Sequence, residues 1–346
     1  DGLNTVVPYN NDIYYKSRPV IGIKKEDVLR LDSDLGFNGV LEGLKEIYDQ
    51  GWLSVLNNIG YPNPDRSHFR SMDIWQTASG ANSYLTTGWL GRYLDTAYES
   101  RKKAYEAIEV SGELSPALFG ETVNGLLVPD LENFFGPVNE LKGFNKPGFN
   151  SGNTNLDYLY KTLADLNSTA QYLYQKSKIY QSKAPYPTWG LALDLKLIAE
   201  LIISGAESSV YYATLDGFDT HVDQTSQHHN KLNELGNALN VFVHDLKDNN
   251  RLDEVVIMVF SEFGRRVAQN AANGTDHGTA NNLFIISSKL KKPGIFNSVP
   301  DLTNLDQGDL KYTIDFRSVY ASLLHNWLGA DDERILGGEF DRTAFI

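Results

Sequence analysis

Val255-Val256-Ile257-Met258-Val259-Phe260 is the stretch on which the fold turns. Six apolar residues in an unbroken row read as a strand buried on both faces, as strands of a parallel sheet are. Just upstream, Thr225 to Leu246 carries apolar residues at Leu232, Leu235, Leu239, Phe242 and Leu246. Steps of three and four place them on one buried face of a helix. Ser208 to Leu215 is a β-rich run, Leu283 to Ile286 is another strand, and Phe316 to Leu328 closes the chain as a helix. Strand and helix alternate through this last third. That alternation predicts an α/β layered domain with a mainly parallel central sheet.

Working toward the N-terminus, Leu191 to Ser204 and Leu156 to Tyr180 read as helices, while residues 106–150 are punctuated by Gly and Pro and lack a clear period. Thr87 to Arg101 is a further helix. Leu53 to Ile59 is a short apolar strand, preceded by a helix over Gly39 to Gln50. The loop Tyr61-Pro62-Asn63-Pro64-Asp65 then opens a helix at Ser67, a favoured N-cap residue. The first thirty residues read as loop. No repeat, low-complexity tract or linker is visible, so one elaborated domain over 1–346 is expected rather than the two its length suggests.

Composition narrows the chemistry. Lys and Arg number 31 against 44 Asp and Glu, a formal net charge of −13, which argues against an extended contact with a nucleic-acid backbone. Cysteine is absent, and with it disulfides, thiolate metal sites, iron–sulfur clusters and cysteine nucleophiles. The most apolar helix, Leu191 to Ile203, is broken by Asp194, Lys196 and Glu200, so no transmembrane segment is expected. The chain opens on Asp1-Gly2-Leu3-Asn4 without Met, which suggests that a preceding segment was removed.

Ligands of open parallel sheets collect beyond the carboxyl ends of the strands, and two strands here run into polar clusters. One is Asp216-Gly217-Phe218-Asp219-Thr220-His221 and the other Ser261-Glu262-Phe263-Gly264-Arg265-Arg266. A third, Gly274-Thr275-Asp276-His277-Gly278, precedes the next strand. Five of the seven histidines fall between residues 221 and 277, and carboxylates with neutral imidazoles make a ligand set for Zn, Mn or similar ions. Each cluster also has a plain reading: Asp219 and His221 as a turn, Glu262 as an ion-pair partner of Arg265, Asp276-His277 as a hairpin turn. Ser67, flanked by Arg66, His68 and Arg70, is either a nucleophile or anion contact at a helix start, or an ordinary cap. Ser67 and His68 are not a dyad by adjacency, since helix neighbours diverge by about 100°. His228 falls on the buried face of its helix, and His229, His244 and His325 read as structural or surface. No Gly-x-Ser-x-Gly elbow, Walker-type loop or Gly-x-Gly-x-x-Gly fingerprint occurs.

Asp1-Gly2-Leu3-Asn4-Thr5-Val6-Val7-Pro8, Ser67-His68-Phe69, Phe218-Asp219-Thr220-His221, Ser261-Glu262-Phe263-Gly264-Arg265, Gly274-Thr275-Asp276-His277-Gly278 and Asp315-Phe316-Arg317 together resemble, in order, the bacterial domain of unknown function 1501 family. The resemblance implies a relative of the alkaline phosphatase and sulfatase superfamily, hence a three-layer α/β/α sandwich. It implies export by a twin-arginine signal to the periplasm, the medium or the cell surface. It also implies a first sheet strand directly before Asp1, and a possible protein partner from a neighbouring exported family. By the same resemblance, Asp1, Asp219, His221, Glu262, Asp276 and His277 would hold a divalent metal (Zn, Mg, Mn or Ca). Ser67, His68 and Arg265 would be catalytic, and Arg66 and Arg70 would bind a phosphorylated or sulfated substrate. The superfamily's Asp-x-x-x-His spacing and adjacent Asp-His pair are replaced here by Asp219-x-His221 and Ser261-Glu262. The expected function is an exported metal-dependent hydrolase of phosphate or sulfate esters. The alternative is a non-catalytic exported binding or assembly protein on the same fold.

Overall fold

A computed structural model describes residues 1–101, 105–130, 134–136 and 151–346. The first part holds β1 (Val6–Val7), α1 (Asp12–Ser17), β2 (Val28–Arg30), β3 (Gly36–Asn38), α2 (Glu42–Asp49), β4 (Leu53–Gly60), α3 (His68–Thr77) and α4 (Trp89–Arg101). The middle adds β5 (Ala107–Glu109), β6 (Leu126–Leu127), α5 (Thr154–Ser177) and α6 (Leu191–Ile203). The last part holds β7 (Val210–Tyr212), α7 (Gln224–Asp248), β8 (Ile257–Val259), β9 (Asn281–Ile286), β10 (Gly294–Ile295) and β11 (Ile314–Asp315). It ends with α8 (Phe316–Ser322), a π-turn over Leu323–Trp327, and α9 (Asp332–Leu336).

The helices expected from apolar spacing are present. α7 buries His228, Leu232, Leu239, Phe242 and Leu246 on one side. The last helix is shorter than its apolar pattern suggests, because α8 passes into the π-turn after Ser322. The opening thirty residues are not all loop. Asn11 caps α1 by accepting from the Ile13 amide at 2.9 Å, and β1 and β2 pair with β3. Strands of two or three residues are too short to show a period. Of the unpatterned stretch 106–150, residues 131–133 and 137–150 lie outside those described, and the remainder holds β5 and β6.

The main sheet has the order β10-β4-β9-β8, with β11 on the far end of β4. β10 and β11 run parallel to β4, and β9 runs antiparallel to both β4 and β8. Four strands therefore share one direction and β9 opposes them. A smaller sheet, β6-β5-β7, is wholly parallel. The chain is thus mixed α/β and includes a parallel sheet.

Side chains of the main sheet alternate between two apolar cores. Leu53, Val55, Phe284 and Ile286 join one with α2, α6 and α7; Leu56, Ile59, Leu283 and Ile285 join the other with α3, α4 and α8. In the second core Trp75 stacks between Phe260 and Phe316, at centroid distances of 5.2 and 4.3 Å. β8 departs from expectation. Its residues feed both cores, Ile257 and Val259 one and Met258 the other, yet all three are only half-buried. The reason is position: among the described residues β8 has a ladder on one edge only, to β9.

Because β4 and β8 both oppose β9, their carboxyl ends lie at the same edge of the sheet. The loop from β4 to α3 and the loop from β8 to β9 meet there, which is where an α/β sheet places its ligands. The segment from β7 to α7 joins them.

One helix carries a charge against its burial. Asp194 in α6 is half-buried, and burial pushes its carboxyl up to about 6 from 3.8. Ionising it opposes folding, so the penalty is absent below pH 3.8 and complete above about 6. Asp194→Asn is expected to stabilise the protein by about 1 kcal/mol at pH 8, allowing for solvent screening. The gain should vanish near pH 4 in denaturant melts, and an equal gain at both pH values would contradict it.

Candidate metal centre

Asp219 and His221 come from the extended segment after β7. Thr220 between them is buried, and the Thr275 amide donates to its carbonyl at 3.2 Å. The alternation turns Asp219 and His221 toward the same side. His277 arrives on the hairpin 261–280, where Arg265 and His277 form an antiparallel bridge. The hairpin packs so closely that a Cβ on Gly274 would overlap the His221 carbonyl. His68 opens α3. Phe263, buried beneath, lies 4.8 Å from the His68 ring and 4.9 Å from the His277 ring.

The three imidazoles are oriented alike. His277 places Nδ1 2.6 Å from the Arg66 carbonyl oxygen. His68 places Nδ1 2.6 Å from Glu262 Oε1, and His221 Nδ1 lies 3.3 Å from Asp276 Oδ1. A carbonyl only accepts, so His277 Nδ1 carries its proton and Nε2 of the neutral ring is a lone pair. Carboxylates behind His68 and His221 favour the same tautomer. All three Nε2 atoms then point at one oxygen. Asp219 Oδ1 lies 2.9 Å from His221 Nε2, 3.1 Å from His277 Nε2 and 3.2 Å from His68 Nε2. The Nε2 atoms of His221 and His277 are themselves 2.9 Å apart. The Arg265 guanidinium meets part of this charge, with Nη2 2.7 Å from Asp219 Oδ1 and Nη1 3.4 Å from His221 Nε2, but the His68 and His277 lone pairs still repel that oxygen unless a further cation or additional protons lie among them. His68, Asp219 and His277 form the compact group, with all ligand atoms within 4.8 Å, and could hold a metal ion. His221 adjoins it from the Asp219 and His277 side.

Asp219 is held ionised. Burial pushes its carboxyl up, but the Arg265 guanidinium that donates to it, with the His277 and His68 rings beside it, outweighs this and keeps it well below the usual carboxylate range. For Asp276, an Asn270 hydrogen bond is the main cause of a lowered carboxyl, with His221 adding to it. Asn270 Nδ2 lies 3.1 Å from Asp276 Oδ1 and 2.9 Å from the His221 carbonyl.

The residues nominated from sequence take different places. Asp219, His221 and His277 come together, and His68, for which a catalytic role was the expectation, lies with them as a candidate ligand. Glu262 and Asp276 stand behind His68 and His221, where they orient the rings instead of facing the centre. Asp1 is not part of the group. Its fully buried side chain pairs with Arg18 at 2.6 Å and accepts from Gln224 Nε2 at 2.7 Å. Arg265 is committed as well: it donates to Asp219 Oδ1 at 2.7 Å and to the carbonyls of Thr275 and Phe218, both at 2.9 Å. Arg70 is drawn away by Asp73 and by the carbonyls of Gly80, Ala81 and Ser83, so it does not face the site. Ser67 sits at the N-cap of α3, exposed, and its side chain makes no capping hydrogen bond. Sequence reasoning missed Asn270 and Asp309, the buried acid that holds Arg66. Both lie in polar turns that look like any surface loop.

Residues 200–344 match a family model. That model is described as protein of unknown function (DUF1501). The matched segment carries Asp219, His221, Glu262, Arg265, Asp276 and His277, and stops short of Ser67 and His68. No curated protein and no solved structure matches the chain. Among the described residues no helix is long and apolar enough to cross a membrane.

The supporting carboxylates give a direct expectation. Glu262→Gln and Asp276→Asn should each weaken zinc binding by about 10- to 100-fold, the usual effect of removing a ligand's hydrogen-bond partner. Calorimetric titration of zinc into the metal-stripped variants checks this. An unchanged affinity in both would show that the rings need no such support.

Proposed function

We propose that this chain is an exported, metal-dependent hydrolase of phosphate or sulfate esters, on a layered sheet like that of the alkaline phosphatase and sulfatase superfamily. The observation that carries the reading is the convergence of three imidazole Nε2 atoms on Asp219 Oδ1. His68, Asp219 and His277, with His221 beside them, would hold the ion, which when bound supplies Lewis-acid polarisation of an ester oxygen.

The chain's own groups supply the rest. Ser67 lies between Arg66, whose carbonyl orients His277, and His68 itself. Its exposed hydroxyl is free of a cap bond and stands at the N-terminus of α3, where backbone N–H groups favour an anion. Ser67 Oγ forms a bond to phosphorus or sulfur, giving its proton to solvent, as the ester bond breaks and the departing alkoxide takes a proton to become the alcohol. Water then cleaves the seryl ester and restores Ser67, so one water is consumed per alcohol and acid anion released. Arg66 gives Nε and Nη2 to Asp309 and leaves Nη1 for a substrate oxygen. Arg265 and Phe263 fix the ligand side chains from below.

The test is release of 4-nitrophenol from phosphate and sulfate esters by protein loaded with zinc, magnesium, manganese or calcium in turn. Release above the metal-free rate supports the hydrolase. None from any substrate with any ion would sink it, and leave the non-catalytic binding or assembly role.

A further inference from the structure

Charge around the imidazoles narrows the substrate class, an inference that rests on the hydrolase reading above. Each arginine near the site already faces a carboxylate. Arg66 Nε is 2.8 Å from Asp309 Oδ2, and Asp309 is fully buried. Arg265 Nη2 is 2.7 Å from Asp219 Oδ1. Arg266 Nε is 3.9 Å from Asp309 Oδ1, with Nη1 on the Gln307 carbonyl at 2.8 Å. Glu262 and Asp276 stand behind His68 and His221, and Asp65 accepts from the Ser67 amide at 2.7 Å. The pairs Asp1–Arg18 and Arg70–Asp73 cancel internally. Five carboxylates thus oppose three arginines, and a single divalent ion brings the surroundings of the imidazoles to about neutral.

A neutral site suits an anion of one charge better than one of two. A phosphate monoester carries nearly two negative charges above its second pKa of about 6. Stabilising it calls for cations in excess, such as paired arginines or a second metal. A sulfate monoester or a phosphate diester carries one. We propose that this site takes singly charged tetrahedral oxyanion esters in preference to doubly charged phosphate monoesters. In the hydrolysis the ester O–S or O–P bond breaks, the water oxygen ends on sulfur or phosphorus, one water hydrogen goes to the alcohol, and the other leaves the acid product as a proton.

Two readouts test this on the zinc-loaded protein at pH 8. In the first, kcat/KM is compared for 4-nitrophenyl sulfate, bis(4-nitrophenyl) phosphate and 4-nitrophenyl phosphate. At least one singly charged substrate is expected to exceed 4-nitrophenyl phosphate by about tenfold or more, and which one leads identifies sulfur or phosphorus. In the second, calorimetry measures binding of methyl sulfate, dimethyl phosphate and methyl phosphate. Methyl phosphate is expected to bind no tighter than the better of the other two. Asp309→Asn releases Arg66 and should shift both readouts toward the doubly charged ligand by about tenfold. If that buried position does not tolerate the change, Asp65→Asn at the rim should act in the same direction. A preference for 4-nitrophenyl phosphate or methyl phosphate in the unaltered protein would overturn the inference while leaving the hydrolase intact. Absence of turnover with all three substrates would instead strike the hydrolase, and the calorimetry alone would then decide the charge preference.

Discussion

Zinc titrated into the metal-stripped protein is expected to bind in one tight step, and His277→Ala should weaken that step by more than 100-fold. His277 is the central ring: its centroid lies 4.3 Å from that of His68 and 4.7 Å from that of His221. Its Nδ1 is fixed by a backbone carbonyl, so Nε2 is aimed before any ion arrives. Removing it takes one donor from the compact group and leaves only His68 and Asp219 in it. Loss of an outer-shell partner costs about 10- to 100-fold, so loss of a ligand should cost more, over about 2.7 kcal/mol. His244, beside Glu46 and Trp52 on the surface, serves as the control, and His244→Ala should leave zinc affinity unchanged. Because only unprotonated imidazole binds metal, affinity should also fall as the solution is acidified. Equal zinc binding by His277→Ala and the parent protein would remove the metal centre, and the hydrolase with it.

How much of this centre was legible beforehand depends on chain distance. Asp219 and His221 are two residues apart in an extended segment, so simple alternation placed them together. Asp276 and His277 adjoin each other, and sequence could not say which would face inward; the antiparallel bridge between Arg265 and His277 settles it by turning Asp276 outward behind His221. Glu262 looked like a ligand because it follows a strand, yet the start of α3 brings His68 against it at 2.6 Å. That contact spans 194 residues and has no local signature. The same holds for Arg66 and Asp309, 243 residues apart. In the fold, helices announced themselves because a buried face repeats every three to four residues over many turns. The direction of β9 did not, since a run of apolar residues carries no information on which way its neighbours point. Nor did the half-burial of β8, which follows from its place at the edge of the ladder.

Ser67→Ala is expected to lower turnover of 4-nitrophenyl esters by at least about 10³-fold while leaving zinc affinity and stability unchanged. The three readouts separate three roles for one hydroxyl. As an N-cap, Ser67 would contribute about 1 kcal/mol through a bond to the helix backbone, but its side chain makes none. Its own amide is already satisfied by Asp65 Oδ1 at 2.7 Å, so truncating the side chain leaves no buried donor without a partner. As a metal ligand, it would be needed for zinc affinity, but the converging atoms are imidazole nitrogens and a carboxylate oxygen. What remains is an exposed hydroxyl at a helix N-terminus, next in sequence to a candidate ligand and to the residue that orients another. A nucleophile would suit such a place, since the helix terminus, and a metal ion held by the neighbouring ligands, would stabilise the charge that develops on attack. If Ser67→Ala keeps near-full turnover, water rather than Ser67 attacks the ester, and the centre acts without a covalent intermediate. His277→Ala should abolish activity under either route, so the pair of variants distinguishes a failed nucleophile from a failed metal site.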